Sequence, residues 1–192
     1  RVALSNEAVL DYDWLVYAVG SGNSSVPAGA EAPSCLSGAG PARDKLRSLK
    51  PGDPVTVVGG GLTAVEVAAE TAHAYPHNPV TIYAAGPVIQ HFSDSTRHGV
   101  LRSLERAGIS VRQEMVEADR LPEAAAVLWC TGFGVPDLAA RSGLAVDAAG
   151  RLAVDSRLRA VGQERIFGAG DAAVVTDPGY SYLPQTCATA MP

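Results

Sequence analysis

The 192-residue sequence predicts an α/β fold in which short buried strands alternate with amphipathic helices. One observation is an apolar, β-branched run at residues 55–58 that leads into three glycines and then into a helical pattern. The other is the regular succession of strand and helix patterns after it, at residues 80–83, 93–107 and 109–112, with a further strand at 127–130. This spacing predicts a parallel sheet with right-handed crossovers.

The central element is the strand–turn–helix segment that begins at Val55. Gly59, Gly61 and Ala64 fit the pattern G-x-G-x-x-G/A: the first glycine permits a tight turn, the second lets a pyrophosphate approach, and a small third residue lets helix and strand pack closely. The free N–H groups at the helix start favour an anion. The segment therefore predicts a dinucleotide site, and the alternative is a glycine-rich turn with no ligand.

The patterns before this segment are short. We expect strands at residues 2–5 and 8–10, then a buried strand at 14–19 that stops at Gly20-Ser21-Gly22. Residues 22–41, rich in Gly, Ser, Ala and Pro, are predicted to be a linker and a domain boundary, and a short helix should follow at 41–49.

The patterns after the segment continue the alternation. Ser93 or Asp94 should cap a helix that Gly108 ends, while residues 113–126 are poorly patterned. A short helix is expected after Pro136, followed by strands at 151–154 and 165–167 and by the start of a helix in the C-terminal tail.

The composition excludes several classes of function. Hydrophobic residues make up 47% and charged residues 18%, as in a globular protein. With a net charge of −5 and no basic cluster, we expect no nucleic-acid partner. No apolar run reaches the length of a membrane span, and the chain should be soluble.

The cysteines and histidines predict no metal site. Cys35, Cys130 and Cys187 are too far apart for a C-x-x-C pair or a zinc set, which favours a reducing, cytoplasmic compartment. The four histidines also lack metal-ligand spacing; they are His73, His77, His91 and His98.

Four segments in a fixed order carry a family resemblance: Y-A-V-G-S at 17–21, the glycine turn at 59–61, W-C-T-G-F at 129–133 and I-F-G-A-G-D at 166–171. The sequence resembles the pyridine nucleotide-disulfide oxidoreductases, flavoproteins with two dinucleotide-binding domains, and within them the type II NADH dehydrogenase-like and ferredoxin reductase-like members. The resemblance spans essentially the whole chain. It implies a Rossmann-like NAD(P)-binding domain at 39–134, inserted between FAD-domain segments at 1–38 and 135–192.

The sequence also departs from the family's pattern. The family's first flavin-binding glycine motif would precede Arg1, and its C-terminal interface domain is missing, so we expect a fragment that is inactive alone. The acid that reads the ribose 2′-hydroxyl should end the second strand, but Ala84 stands there, which leaves the choice between NAD and NADP open.

The resemblance implies roles for particular residues. Glu66 matches the acid of a T-G-V-E segment that faces the nicotinamide and the flavin edge, although the helix dipole alone would favour a carboxylate there. Asp171 would hydrogen-bond the ribityl chain of FAD, or would simply cap a following helix. Cys187 lies where the helix N-terminus of relatives faces the flavin. An unpaired cysteine is, however, more often a small hydrophobic residue. The implied cofactor-binding set is Val19, Gly20, Ser21, Gly59, Gly60, Gly61, Thr63, Ala64, Ala84, Thr131, Gly132, Phe133, Gly170, Asp171 and Gln185.

Taken together, these residues predict an NAD(P)H-dependent oxidoreductase that passes hydride to FAD and electrons to a quinone, a small redox protein or another acceptor. One alternative is a flavin-free NAD(P) dehydrogenase, for which the sequence shows no catalytic Tyr/Lys or Cys constellation. The other is a non-catalytic redox sensor that binds NAD(P)H. A homodimer and a peripheral position on the inner face of a membrane are both compatible with the main prediction.

Overall fold

The computed structural model describes residues 1–23, 26–34 and 36–176. The chain forms two compact units: unit 1 comprises Arg1–Gly22 and Gly134–Pro192, and unit 2 comprises Asn23–Phe133. The strands are β1 (Val2–Ala3), β2 (Val9–Leu10), β3 (Leu15–Tyr17), β4 (Gly22–Asn23), β5 (Val55–Val58), β6 (Val80–Ala84), β7 (Ser110–Gln113), β8 (Ala126–Trp129), β9 (Phe133–Gly134), β10 (Leu152–Val154), β11 (Ile166–Gly168) and β12 (Ala173–Val175). The helices are α1 (Leu36–Arg47), α2 (Leu62–Ala74), α3 (Asp94–Arg106) and α4 (Leu138–Arg141).

Unit 2 is built on a four-stranded parallel sheet of order β7-β6-β5-β8. This is the order 3-2-1-4 of a dinucleotide-binding half. Every residue of β5 and β8 is buried, as expected of central strands covered on both faces. Ala64 and Ala68 of α2 are fully buried against this sheet, so the predicted parallel α/β architecture is confirmed.

The segment predicted to be a linker makes backbone hydrogen bonds to strand β8 of unit 2 and includes the start of α1. The Glu31 N–H donates to the carbonyl of Val127 at 2.8 Å, and the Trp129 N–H donates to the carbonyl of Glu31 at 2.7 Å. Helix α1 begins at Leu36, before the expected start at Pro41, and contains that proline. Contacts therefore group residues 23–38 with unit 2, whereas the sequence placed the boundary at 38.

Unit 1 has its own core, formed around two pairs of parallel strands, β10 with β12 and β11 with β3. Strand β12 was not expected, because its three residues follow a glycine-rich turn and show no recognisable period. The prediction that residues 14–19 form a buried strand is wrong for one face: Trp14 is 66% exposed and Val16 63% exposed, while Tyr17 is 6% exposed. Alternation along the strand turns only Leu15 and Tyr17 towards the core.

The remaining strands are short. β1 and β2 form an antiparallel hairpin, and β4 and β9 form a two-stranded sheet.

Candidate functional site

The first glycine of the turn after β5 is required by the backbone. Gly59 is buried and has φ +140°, a conformation that residues with a Cβ rarely adopt. A Cβ at Gly59 would also collide with the carbonyl of Cys130, whose carbon would lie 2.8 Å away. The same added atom would contact the Ala64 side chain at 3.4 Å. The turn is thus closed by β8 on one side and by α2 on the other.

The second glycine of the run connects the turn to the loop after β6. A Cβ on Gly60 would lie 3.1 Å from that of Ala84, and the Gly60 carbonyl accepts the Ile89 N–H at 2.6 Å. Ile89 is 4% exposed and has φ +46°, which is unusual for a β-branched residue. The loop is therefore held against the glycine turn at an energetic cost that its buried contacts offset.

Gly61 faces open space. It is exposed, and an added Cβ would meet no atom within 4 Å. Gly61 is the N-cap of α2, and its carbonyl accepts the Val65 N–H at 3.2 Å, but no side chain caps the helix. The first N–H groups of α2 are thus available to an anion at the positive end of the helix dipole, an arrangement that fits a pyrophosphate.

The end of β6 differs from the expectation for a ribose-reading position. Ala84 is 1% exposed and packs with Val88 and Ile89, so its side chain is directed into the protein. Ala85, the next residue, is exposed. A carboxylate at position 84 would be buried at a large energetic cost, whereas one at 85 would reach solvent.

The other nicotinamide-side residues lie on α2. Thr63 is half-buried in the first turn, and Glu66 is exposed at the start of the second turn. Glu66 therefore lies on the helix that directly follows the glycine turn, and its carboxylate is open to solvent.

In unit 1, the structure brings Ser21 and Asp171 together although they are 150 residues apart in sequence. The Ser21 Oγ donates to the Asp171 Oδ2 at 2.6 Å. Each residue directly follows a glycine with positive φ, Gly20 at +70° and Gly170 at +74°. The pairing of β3 with β11 aligns the two turns, and Val19, 45% exposed, belongs to the first of them.

The helix-capping alternative for Asp171 has no support in the described residues, because the element that follows is strand β12 and not a helix. Asp171 thus lies in a turn with a half-buried carboxylate that accepts a short hydrogen bond. A carboxylate held in this way fits the hydroxyl groups of a ribityl chain, which are hydrogen-bond donors.

The second crossover segment follows β8. Gly132 is exposed and has φ +59°, and Thr131 is half-buried; Phe133 begins β9. The Cys130 thiol is buried as expected, and burial raises its pKa to about 12, so it is protonated and a poor nucleophile at neutral pH. Gln185 and Cys187 lie outside the described residues.

Across residues 1–23, 26–34 and 36–176, no group of three or more His, Cys, Asp or Glu side chains is placed to hold a metal ion. In the same ranges, no helix has the length and apolar character needed to cross a membrane.

The sequence did not indicate the contacts of Ile89, the exposure of Ala85 or the partner of Ser21. A positive φ at isoleucine has no signal in the sequence, because the conformation is imposed by tertiary contacts. The hydroxyl of Ser21 directly after a turn glycine was visible, but its acceptor 150 residues away was not.

The parallel sheet and its glycine turn define a dinucleotide-binding α/β protein. The profile of the family described as pyridine nucleotide-disulphide oxidoreductase matches residues 1–192, and the chain belongs to this family. Members of the family bind FAD and NAD(P)H.

Individual proteins show the same relationship. The NADH dehydrogenase-like protein Rv1812c of Mycobacterium tuberculosis (strain ATCC 25618 / H37Rv) is 33% identical over 211 residues, covering 90% of this chain and 51% of the relative. Ferroptosis suppressor protein 1 of Homo sapiens is 27% identical over 164 residues, covering 73% and 44%. The covalent putidaredoxin reductase–putidaredoxin complex superposes with a TM-score of 0.75 at 22% identity, covering 95% and 49%. The chain spans about half the length of the curated relatives it matches.

Proposed function

We propose that the full-length protein is an NAD(P)H-dependent flavoprotein oxidoreductase. The observation that carries the proposal is the Ser21–Asp171 hydrogen bond, which joins two of the predicted flavin segments in a chain that also has a complete dinucleotide turn. Family membership and the NADH dehydrogenase-like relative support the same function. Bound FAD would supply a two-electron relay between NAD(P)H and an acceptor.

The nicotinamide dinucleotide is assigned to unit 2. Gly59 shapes the turn, Gly61 leaves room for the pyrophosphate, and the first N–H groups of α2 bind its oxygens. Gly60 and Ala84 pack beneath the turn and keep it rigid. We assign the ribose-reading position to Ala85, whose methyl group can neither bind a 2′-hydroxyl nor repel a 2′-phosphate. The protein should therefore discriminate weakly between NADH and NADPH.

Glu66 is proposed to orient the nicotinamide. Its carboxylate is exposed on α2, one turn beyond the residues that hold the pyrophosphate. A group at this place acts by positioning, because hydride transfer requires the reacting atoms to be within about 3–3.5 Å.

The flavin is assigned to unit 1. Asp171 accepts hydrogen bonds from the ribityl hydroxyls, and the turns at Gly20 and Gly170 let the backbone approach the cofactor. The sequence resemblance adds Thr131, Gly132 and Gln185 to the proposed cofactor-binding set.

The electrons are proposed to pass directly to an external acceptor such as a quinone or a small redox protein. The Cys130 thiol is buried and protonated, so it does not serve as a thiolate relay. The similarity to an NADH dehydrogenase-like protein supports the oxidation of NADH by the full-length protein.

The test is anaerobic reduction of the purified full-length protein. We expect flavin absorption bands that bleach on addition of one equivalent of NADH or NADPH, followed by reoxidation with a soluble quinone. NAD(P)H oxidation without flavin bands would instead identify a flavin-free dehydrogenase. Tight NAD(P)H binding with neither flavin nor turnover would identify a redox sensor.

A further inference from the structure

We propose that Ser21 is a positioning residue for the flavin: its hydroxyl holds the Asp171 carboxylate in one orientation, and through it the ribityl chain. This inference rests on the proposed function, because it requires a flavin at Asp171. In this role Ser21 acts through the Asp171 side chain and does not contact the cofactor directly.

The pairing of two backbone strands places Ser21 and Asp171 near each other, independently of their side chains. Strands β3 and β11 are parallel neighbours in the register Phe167↔Val16 and Gly168↔Tyr17. The ladder continues one step further, since the Ala169 N–H donates to the Tyr17 carbonyl at 3.0 Å. Each strand is followed within three residues by a glycine with positive φ, Gly20 after β3 and Gly170 after β11, and the two turns therefore lie side by side.

The hydrogen bond itself is short. The distance of 2.6 Å between Ser21 Oγ and Asp171 Oδ2 lies in the range of charge-assisted O–H···O⁻ bonds, which are stronger than neutral ones. Both residues are only half-buried. The hydrogen bond restricts rotation of the Asp171 carboxylate about its side-chain bonds, so less ordering of this group remains when the cofactor binds.

The Ser21 hydroxyl therefore pre-organises the Asp171 carboxylate as a hydrogen-bond acceptor. When Oδ2 accepts from Ser21, the direction of Oδ1 is also set, because the carboxylate is planar and rigid. A supporting hydrogen bond of this kind holds a binding group within the tolerance that its ligand requires.

The experiment measures FAD affinity in the full-length protein after reversible removal of the flavin. The variants are Ser21→Ala, Ser21→Thr, Asp171→Asn and the double variant Ser21→Ala with Asp171→Asn. Thr176→Val is the matched control, because it also removes a hydroxyl from unit 1, one that donates to the Val154 carbonyl at 3.1 Å and is not bonded to Asp171. FAD dissociation constants come from quenching of flavin fluorescence, and thermal unfolding of each apoprotein is measured in parallel.

We expect Ser21→Ala to raise the FAD dissociation constant about tenfold, which corresponds to about 1.4 kcal/mol. Ser21→Thr should restore most of the affinity, and Thr176→Val should leave it within twofold. In the Asp171→Asn background, Ser21→Ala should have little further effect, because the two residues act as one unit.

Other results would overturn the inference. An unchanged FAD affinity in Ser21→Ala, with only a lower unfolding temperature, would show that the hydrogen bond is merely a structural link between two turns. Additive losses in the double variant would show that Ser21 contacts the flavin independently. A wild-type protein that carries no flavin would refute the proposed function together with this role, whereas the first two results would leave the proposed function intact.

Discussion

The open space at Gly61 makes its replacement a sharp test of the dinucleotide site. Gly59→Val would be uninformative, because its side chain would collide with the Cys130 carbonyl and its φ of +140° would be strained. Gly61 instead has φ −87° and no atom within 4 Å of an added Cβ. Gly61→Val should therefore fold, with its new side chain in the space that we assign to the pyrophosphate.

The magnitude follows from the hydrogen bonds that would be lost. Hydrogen bonds to a charged group contribute about 1.5–3 kcal/mol each, and displacement of the pyrophosphate would weaken at least two of them. A loss of about 3 kcal/mol or more raises the dissociation constant of NAD(P)⁺ by more than about a hundredfold. The cost to folding should be about 1 kcal/mol, because a helix N-cap prefers glycine to valine, and this lowers the unfolding temperature by roughly 4 °C.

The assay is titration of the oxidised full-length protein with NAD⁺ and NADP⁺. Gly99→Val is the matched control: it adds the same side chain to α3 of the same unit, at another glycine with no atom within 4 Å of its Cβ position. We expect the control to bind the nicotinamides normally, and both variants to keep their flavin.

One outcome would refute the reasoning. If Gly61→Val keeps its affinity for NAD(P)⁺ within about threefold, the pyrophosphate does not lie at the start of α2, and the turn is only a glycine-rich connection between strand and helix.

Three further predictions concern other residues. Glu66→Gln should slow flavin reduction in anaerobic stopped-flow experiments more than it weakens NAD(P)H binding, since its proposed role is positioning; equal losses would indicate a simple helix charge. The parent should use NADH and NADPH within about tenfold in kcat/KM, and Ala85→Glu should remove NADPH use, because a carboxylate binds the 2′-hydroxyl and repels a 2′-phosphate; a parent already selective by about a hundredfold would mean that another residue reads the ribose. Partial burial raises the pKa of Asp147, but hydrogen bonds from the Arg151 guanidinium (2.7 and 2.8 Å) and from backbone N–H groups outweigh this and lower the pKa overall. The ionised carboxylate therefore stabilises the fold above its unfolded pKa of about 3.9, and the contribution is lost as pH falls through the lower folded value. Asp147→Asn should cost about 1 kcal/mol at pH 7 and progressively less below about pH 4 in denaturant unfolding, while Asp137→Asn, at an exposed ion pair of 3.6 Å, should cost little at either pH. A pH-independent cost of Asp147→Asn would contradict this account.

Local patterns in the sequence were sufficient for the central sheet. Residues 55–58 are apolar or β-branched without a polar alternation because β5 is covered on both faces, and such a run is visible without any tertiary information. The glycine turn was equally visible, because the backbone at position 59 has a positive φ, which glycine adopts readily. The order of strands and helices then restricted the topology to a parallel sheet.

Other features depended on partners distant in sequence. Residues 22–41 have the composition of a linker, yet Glu31 is hydrogen-bonded to the backbone of β8, an interaction that composition cannot reveal. Strand β12 is too short to show a hydrophobic period in its sequence. It forms because its backbone pairs in parallel with that of β10. The exposed face of β3 likewise follows from which strands and helices lie beside it, and not from its own apolar side chains.

The same division holds for the candidate site. The sequence by itself determined the parallel α/β fold, the family and the glycine turn, because each is encoded in consecutive residues whose spacing meets a backbone requirement. Only the tertiary structure decided that Ala84 is buried and Ala85 exposed, that Ile89 bonds to Gly60, and that Ser21 donates to Asp171. These contacts arise where separate strand ends meet, and the residues that meet are set by sheet register and loop packing, which are properties of the whole fold.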